Sequence, residues 1–109
     1  MQVNWTPQAM EMADSVLRYT AQTFGKAQAD KLRLSFAKIA TQLESFPNMG
    51  TLDPFLANLA KEYRFILIFK TLKVIYHISD SKQLFIVAVW NCRQSPNELK
   101  SIISNNSSE

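Results

Sequence analysis

Three apolar runs in the last third of the chain, at residues 63–69, 73–78 and 83–90, constrain its fold more than any other feature. They are rich in β-branched and aromatic residues, which is typical of strands. The links between them, residues 70–72 and 79–82, are too short for the crossover that a parallel strand pair requires. The runs therefore predict an antiparallel three-stranded meander.

The hydrophobicity of the runs is nearly continuous, so we expect both faces of this sheet to be covered. The residues before the runs supply one cover. Residues 3–5 alternate as in a short strand, and Thr6 and Pro7 are a favourable N-cap and first residue for a helix. Apolar residues at three- and four-residue spacing predict helices on both sides of Gly25, which pack as an antiparallel hairpin. Pro47 and Gly50 end the second helix.

The second cover is the C-terminal segment or a partner. We expect residues 51–60 to form a loop with one short helical turn, residues 97–103 a brief helix and residues 104–109 a disordered tail. The predicted fold class is α+β: a short N-terminal strand, a helical hairpin and a three-stranded antiparallel meander packed on the helices, in the order β-α-α-β-β-β. A single domain spans residues 1–103.

Composition excludes several classes of protein. The chain has 109 residues, 47% of them hydrophobic and 19% charged, as in an ordinary globular domain. No apolar run approaches the roughly 18 residues of a membrane span, and no basic leader opens the chain. The one cysteine, Cys92, agrees with a reducing compartment. We therefore expect a cytoplasmic protein without a membrane partner. The net charge of +3 permits an anionic partner but does not identify one.

Familiar catalytic and cofactor motifs are missing from the sequence. It has two glycines and one histidine, which leaves no phosphate-binding loop and no paired metal ligands. We therefore expect no cofactor and no metal. A nucleophilic pair of Cys92 and His77 is formally possible, although a small buried thiol is the commoner fate of such a cysteine.

The basic and aromatic residues around the meander are the remaining candidates. Alternation places Lys73 and His77 on one face, where they could stabilise a phosphate and move a proton. The alternative is a solvated lysine and a tolerated histidine. Arg93 follows the last strand and could bind a phosphate or carboxylate bidentately; its alternative is a local ion pair, for example with Glu98. Arg64 could assist or brace the sheet, and Tyr76 could stack on a base or belong to the core.

The predicted elements and three short motifs together resemble the RelE/ParE superfamily of bacterial toxins. The resemblance covers residues 3 to about 100 and rests on the order of three motifs: Phe-Pro-Asn-Met-Gly at residues 46–50, Lys-Val-Ile-Tyr at residues 73–76, and Trp-x-x-Arg-x-x-Pro-x-x-Leu at residues 90–99. It implies the toxin of a type II toxin–antitoxin system, neutralised by a cognate antitoxin whose extended or helical segment wraps it.

The resemblance leaves the target open between two branches. ParE-like members inhibit DNA gyrase without chemistry, whereas RelE-like members are metal-independent endonucleases that cleave mRNA in the ribosome. For a nuclease, the candidate catalytic residues are Lys73, Arg93, Arg64, His77 and Tyr76. An arginine commonly stands at the position of Lys73 in RelE-like nucleases, and a histidine at that of Asn91 in many relatives. These departures favour the gyrase inhibitor; a degenerate toxin that only binds antitoxin is a third reading.

Overall fold

The computed structural model describes residues 1–106 and shows a mixed five-stranded sheet between two helical layers. The sheet has the order β1-β5-β4-β3-β2. The elements in chain order are β1 (Val3–Trp5), α1 (Pro7–Phe24), α2 (Lys26–Ser45), β2 (Thr51–Leu52), a 3-10 turn (Pro54–Leu56), β3 (Arg64–Ile68), β4 (Leu72–Ile78), β5 (Leu84–Asn91) and α3 (Pro96–Asn106). The predicted α+β fold is confirmed, with one strand more than expected.

The helical hairpin forms as its capping residues predict. The Thr6 side chain accepts a hydrogen bond from the Ala9 N–H at 3.1 Å, and Pro7 is the first helical residue. Gly25 separates α1 from α2 with a φ of 96°, a conformation that side chains disfavour. The hairpin therefore reverses within one residue.

The meander β3–β4–β5 is antiparallel, as the short links require. A bulge at Val87 shifts the register, because Ile75 lies opposite Ala88 while Tyr76 lies opposite Ile86. β1 joins β5 in parallel, and the two-residue strand β2 pairs with the start of β3. Both outer strands are thus very short.

Each face of the sheet packs against its own core. The face toward α1 and α2 buries a cluster that includes Leu32, Phe36, Leu43, Val74, Tyr76 and Ile86. The opposite face packs against α3 and the 3-10 turn through Leu56, Ile75, Ala88, Trp90, Leu99 and Ile103. The C-terminal segment is therefore the second cover of the sheet.

The last helix extends further than the sequence predicts. α3 continues through Ser104 to Asn106, beyond the expected end at residue 103 and into the segment expected to be a tail. The reason is that Ile103 is buried against the sheet. The backbone N–H groups of residues 104–106 continue the helical hydrogen-bond pattern after it. Residues 107–109 of the predicted tail lie outside the described part of the chain.

Candidate functional site

Arg93 projects from a turn that the backbone fixes at the end of β5. The N–H of Arg93 donates to Asn91 Oδ1 at 2.9 Å, and the Gln94 N–H donates to the Asn91 carbonyl at 2.9 Å. The Cys92 N–H donates to the Thr71 carbonyl at 2.8 Å, which ties this turn to the start of β4. Arg93 is exposed, and within residues 1–106 its guanidinium forms no salt bridge with Glu98, the ion-pair partner expected for it.

Arg93 lines a groove between the helical hairpin and the sheet end, which we call the Arg93 groove. Its volume is about 550 Å³. It is lined by Val16, Tyr19, Thr20, Phe24, Gln28, Leu32, Phe69, Thr71, Leu72, Asn91 and Arg93. Arg93 is the one charged residue in that lining, so the groove offers a single cation in a wall of aromatic, aliphatic and uncharged polar side chains.

Exposed aromatic side chains form much of that wall. Tyr19, Phe24 and Phe69 are 63%, 67% and 51% exposed. The rings of Tyr19 and Phe24 pack edge to face, with centroids 6.5 Å apart. Phe24 belongs to the predicted apolar stripe of α1, but it lies at the last helical residue, beyond the cover of the sheet. Such a cluster of exposed aromatic rings is typical of an interaction surface.

Phe69 reaches the groove from a strained turn. Both central residues of the β3–β4 turn, Phe69 and Lys70, have positive φ values of 52° and 63°, and the Thr71 N–H donates to the Ile68 carbonyl at 3.2 Å. Turns of this kind usually contain Asn and Gly, because a β-carbon is disfavoured at such angles. The chain keeps a bulky aromatic residue at a position where it costs stability.

Lys73 lies away from the groove, in a buried ion pair. Its Nζ is 3.0 Å from Asp53 Oδ2, and the two side chains are 14% and 0% exposed. The ammonium also lies 4.5 Å and 5.1 Å from the ring centroids of Phe65 and Phe55, within cation–π range. The other carboxylate oxygen of Asp53 accepts the Phe55 N–H at 2.9 Å. Lys73 thus fastens the loop after β2 to the sheet.

His77 shares the face of Lys73, as the alternation predicts, but it is buried in an aromatic stack. It is 2% exposed. Its ring stacks on Phe85 with centroids 5.7 Å apart and meets the Tyr63 ring edge to face at 5.6 Å. Its neighbours therefore give it the environment of a core residue.

Tyr76 and Arg64 hold the loop that carries the Phe-Pro-Asn-Met-Gly motif. The Tyr76 hydroxyl donates to the Pro47 carbonyl at 2.7 Å and accepts the Gly50 N–H at 2.9 Å. Burial raises the pKa of this phenol, although the Gly50 hydrogen bond and the Arg64 charge oppose that shift. Arg64 donates to the Gly50 carbonyl at 2.8 Å. Gly50 is required here, because a β-carbon would lie 2.7 Å from the hydroxyl oxygen.

The five candidate residues do not converge on one place. Lys73 and His77 face α3, Tyr76 faces the helical hairpin, and Arg93 lies beyond the end of β5. Arg64 lies opposite Tyr76, whereas Arg93 follows Asn91, which pairs with Leu72. Arg64 is therefore separated by about 13 Å along the strands, at about 3.3 Å per residue, from Asn91, where the turn that carries Arg93 begins. The catalytic roles of the five candidates remain predictions.

Asp53 and the Arg93 groove are the features that sequence reasoning missed. Asp53 precedes Pro54 and caps the 3-10 turn, so the Asp-Pro pair was an available signal for the turn, although not for the ion pair. The groove depends on the packing of α1 against the sheet end, which no local pattern indicates.

Within the described residues, no group of three or more potential metal ligands occurs, and no helix is long and apolar enough to cross a membrane.

Comparison with known proteins finds one matching protein family and one similar solved structure. Residues 3–96 match the family model described as the ParE toxin of a type II toxin–antitoxin system, parDE. The structure is also similar to a chain of the solved structure entitled "Chromosomal ParDE TA system from P. aeruginosa". The TM-score is 0.67 and the identity is 16%, over 84% of this chain and 95% of that chain. At this identity the structural likeness shows the fold. No curated protein sequence matches the chain.

Proposed function

Because the chain belongs to the ParE toxins of type II toxin–antitoxin systems, we propose that a cognate antitoxin holds it silent and that the released protein inhibits DNA gyrase without catalysing a reaction. The toxin would act in the cytoplasm, where gyrase is found. The observation that carries this proposal is the exposed Arg93 groove, set against the other four candidate catalytic residues, which are buried or bonded.

The Arg93 groove supports binding to a protein. Its aromatic wall gives a partner apolar surface to bury, and its single cation selects a partner that brings a carboxylate. Aromatic residues and arginine are also the residues that most often dominate the energy of protein interfaces. We propose that the antitoxin and the target compete for this groove, since occupation by one removes it from the other.

The remaining candidates support binding without chemistry. The Lys73 ammonium is neutralised by Asp53, and its side chain is 14% exposed. The raised pKa of Tyr76 keeps its phenol protonated near neutral pH, and its hydroxyl is bonded to Pro47 and Gly50. A general acid or base must reach the substrate proton within hydrogen-bond distance. Neither Tyr76 nor His77, both at most 2% exposed, offers such access.

Expression in bacteria tests this function. The wild-type protein, produced without an antitoxin, is expected to arrest growth, and Arg93→Ala is expected to relieve the arrest. Arg33→Ala is the matched control, because Arg33 is an exposed arginine of α2 that bonds only its neighbour Asp30 among the described residues. Normal growth with abundant wild-type protein would contradict growth inhibition and would leave antitoxin binding as the remaining function, as in a degenerate toxin.

Transcript analysis in the same cells separates the two targets. A gyrase inhibitor leaves ribosome-associated mRNA intact during the first minutes of arrest, while plasmid supercoiling falls. New mRNA 5′ ends that appear with the wild-type protein and disappear with Arg93→Ala would instead establish a RelE-like endonuclease and overturn the proposed target.

A further inference from the structure

The turn that carries Arg93 is held by hydrogen bonds, because burial contributes little to it. Residues 92–95 are all exposed, so none of their side chains anchors the segment in either core. The two ends of the segment are anchored instead. Asn91 ends β5 before it, and after it the Ser95 carbonyl accepts the N–H of the buried Leu99 in α3 at 3.4 Å. The position of Arg93 therefore depends on bonds made inside the turn.

Asn91 supplies both acceptors inside this turn, which spans residues 91–94. Its backbone carbonyl accepts the Gln94 N–H and its side-chain Oδ1 accepts the Arg93 N–H, each at 2.9 Å. The first bond is independent of residue type, since every residue has a backbone carbonyl. The second depends on the side chain, and asparagine is favoured for a bond to the N–H two residues further on. Within the described chain, no other side chain bonds a backbone N–H of this turn.

Arg93 lies where two pockets meet, so the direction of its side chain affects both of them. A second pocket of about 430 Å³ adjoins the Arg93 groove. Both are lined by Val16, Tyr19, Leu72, Asn91 and Arg93. A guanidinium binds a carboxylate bidentately only in a restricted orientation. A rotation of the backbone at Arg93 would therefore change the charge that both pockets offer to a partner.

We propose that Asn91 is a positioning residue for Arg93. Its Oδ1 holds the turn in the arrangement that keeps Arg93 at the junction of the two pockets before a partner binds. Such preorganisation reduces the ordering cost of binding and so raises affinity. The inference rests on the proposed function, because it takes the Arg93 groove as the surface that binds the target, and it identifies the residue that sets the strength of this binding.

Backbone dynamics of the free protein test the positioning without any partner. In NMR relaxation of the wild type, the Arg93 amide is expected to have an order parameter of about 0.85, and Asn91→Ala is expected to lower it below about 0.6. The variant is expected to fold, since Arg93 is exposed and its N–H can bond water instead. Asn91→Ser is expected to restore most of the rigidity, because a hydroxyl accepts the same N–H more weakly. An equally rigid Arg93 amide in wild type and Asn91→Ala would overturn the proposal.

Inhibition of gyrase supercoiling tests the consequence for binding. Asn91→Ala is expected to inhibit about fivefold less than the wild type, as for the ordering of one side chain. Asn91→Ser is expected to recover most of this loss. The matched control Asn97→Ala makes the same change at an exposed asparagine of α3 that lines neither pocket, and it is expected to inhibit like the wild type. Full inhibition by Asn91→Ala, or an equal loss in Asn97→Ala, would contradict the proposal.

A double-mutant cycle separates positioning from direct contact. Asn91→Ala is expected to cause no further loss of inhibition in an Arg93→Ala background, because the residue that it positions is absent. A further loss of about fivefold there would mean that Asn91 itself contacts the target, and the positioning role would be wrong. If the wild type does not inhibit gyrase, the proposed target fails, while the order parameter of the Arg93 amide still decides whether Asn91 fixes the turn.

Discussion

Replacement of Asp53 by asparagine isolates the charge of the buried ion pair with Lys73. The amide oxygen of the substituted side chain can still accept the Phe55 N–H, so the cap of the 3-10 turn is kept while the negative charge is removed. At an N–O distance of 3.0 Å and an effective dielectric constant of about 20, the Coulomb attraction is about 5.5 kcal/mol before desolvation. Because the variant leaves an ammonium without its counterion, we expect a net loss of about 3 kcal/mol in the free energy of unfolding.

Urea unfolding followed by tryptophan fluorescence measures this loss, and the chain offers a matched control. Asp30 and Arg33 form a pair with the same N–O distance of 3.0 Å, but their side chains are 49% and 61% exposed. Asp30→Asn is therefore expected to cost less than about 1 kcal/mol. Similar losses for Asp53→Asn and Asp30→Asn would refute the reasoning that burial gives the Lys73 pair its structural role.

Three further changes test the loop and turn geometry. Gly50→Ala is expected to lower the free energy of unfolding by about 2 kcal/mol or more in urea titrations, because its β-carbon would lie 2.7 Å from the Tyr76 hydroxyl. An unchanged urea midpoint would contradict this. Lys70→Gly is expected to raise stability by about 1 kcal/mol, since φ is 63° there, and an unchanged melting temperature would argue against strain. Because the pKa of Tyr76 is raised in the folded state, its protonated phenol contributes fully to the free energy of unfolding below the ordinary pKa of 10.0. That contribution is lost as pH rises through the folded pKa. Wild-type stability should therefore fall more steeply above pH 10 than that of Tyr76→Phe, and parallel pH profiles would exclude this role.

Local patterns predicted the helical hairpin and the meander because their causes are local. Thr6, Pro7 and Gly25 set the ends of the helices through capping and backbone preference alone. The short links between the apolar runs left the antiparallel arrangement as the available one. The parallel pairing of β1 with β5 joins residues about 80 positions apart, and nothing in the sequence of residues 3–5 indicates it.

The candidate site was less predictable, because it depends on contacts across the fold. Alternation placed Lys73 and His77 on one face correctly, but it could not show that Asp53, twenty residues away, neutralises Lys73. Arg93 was identified as an exposed cation at the end of the last strand. Its aromatic surroundings come from Tyr19 and Phe24 of α1 and from Phe69 of the β3–β4 turn, and these two parts of the chain meet only through tertiary packing.

Supercoiling of relaxed plasmid DNA by purified gyrase tests the central claim most directly. The account predicts that the wild-type protein inhibits supercoiling, that Arg93→Ala inhibits at least about tenfold less, equivalent to about 1.4 kcal/mol of binding, and that Arg33→Ala inhibits like the wild type. Undiminished supercoiling in the presence of excess folded wild-type protein, or equal inhibition by Arg93→Ala, would contradict it.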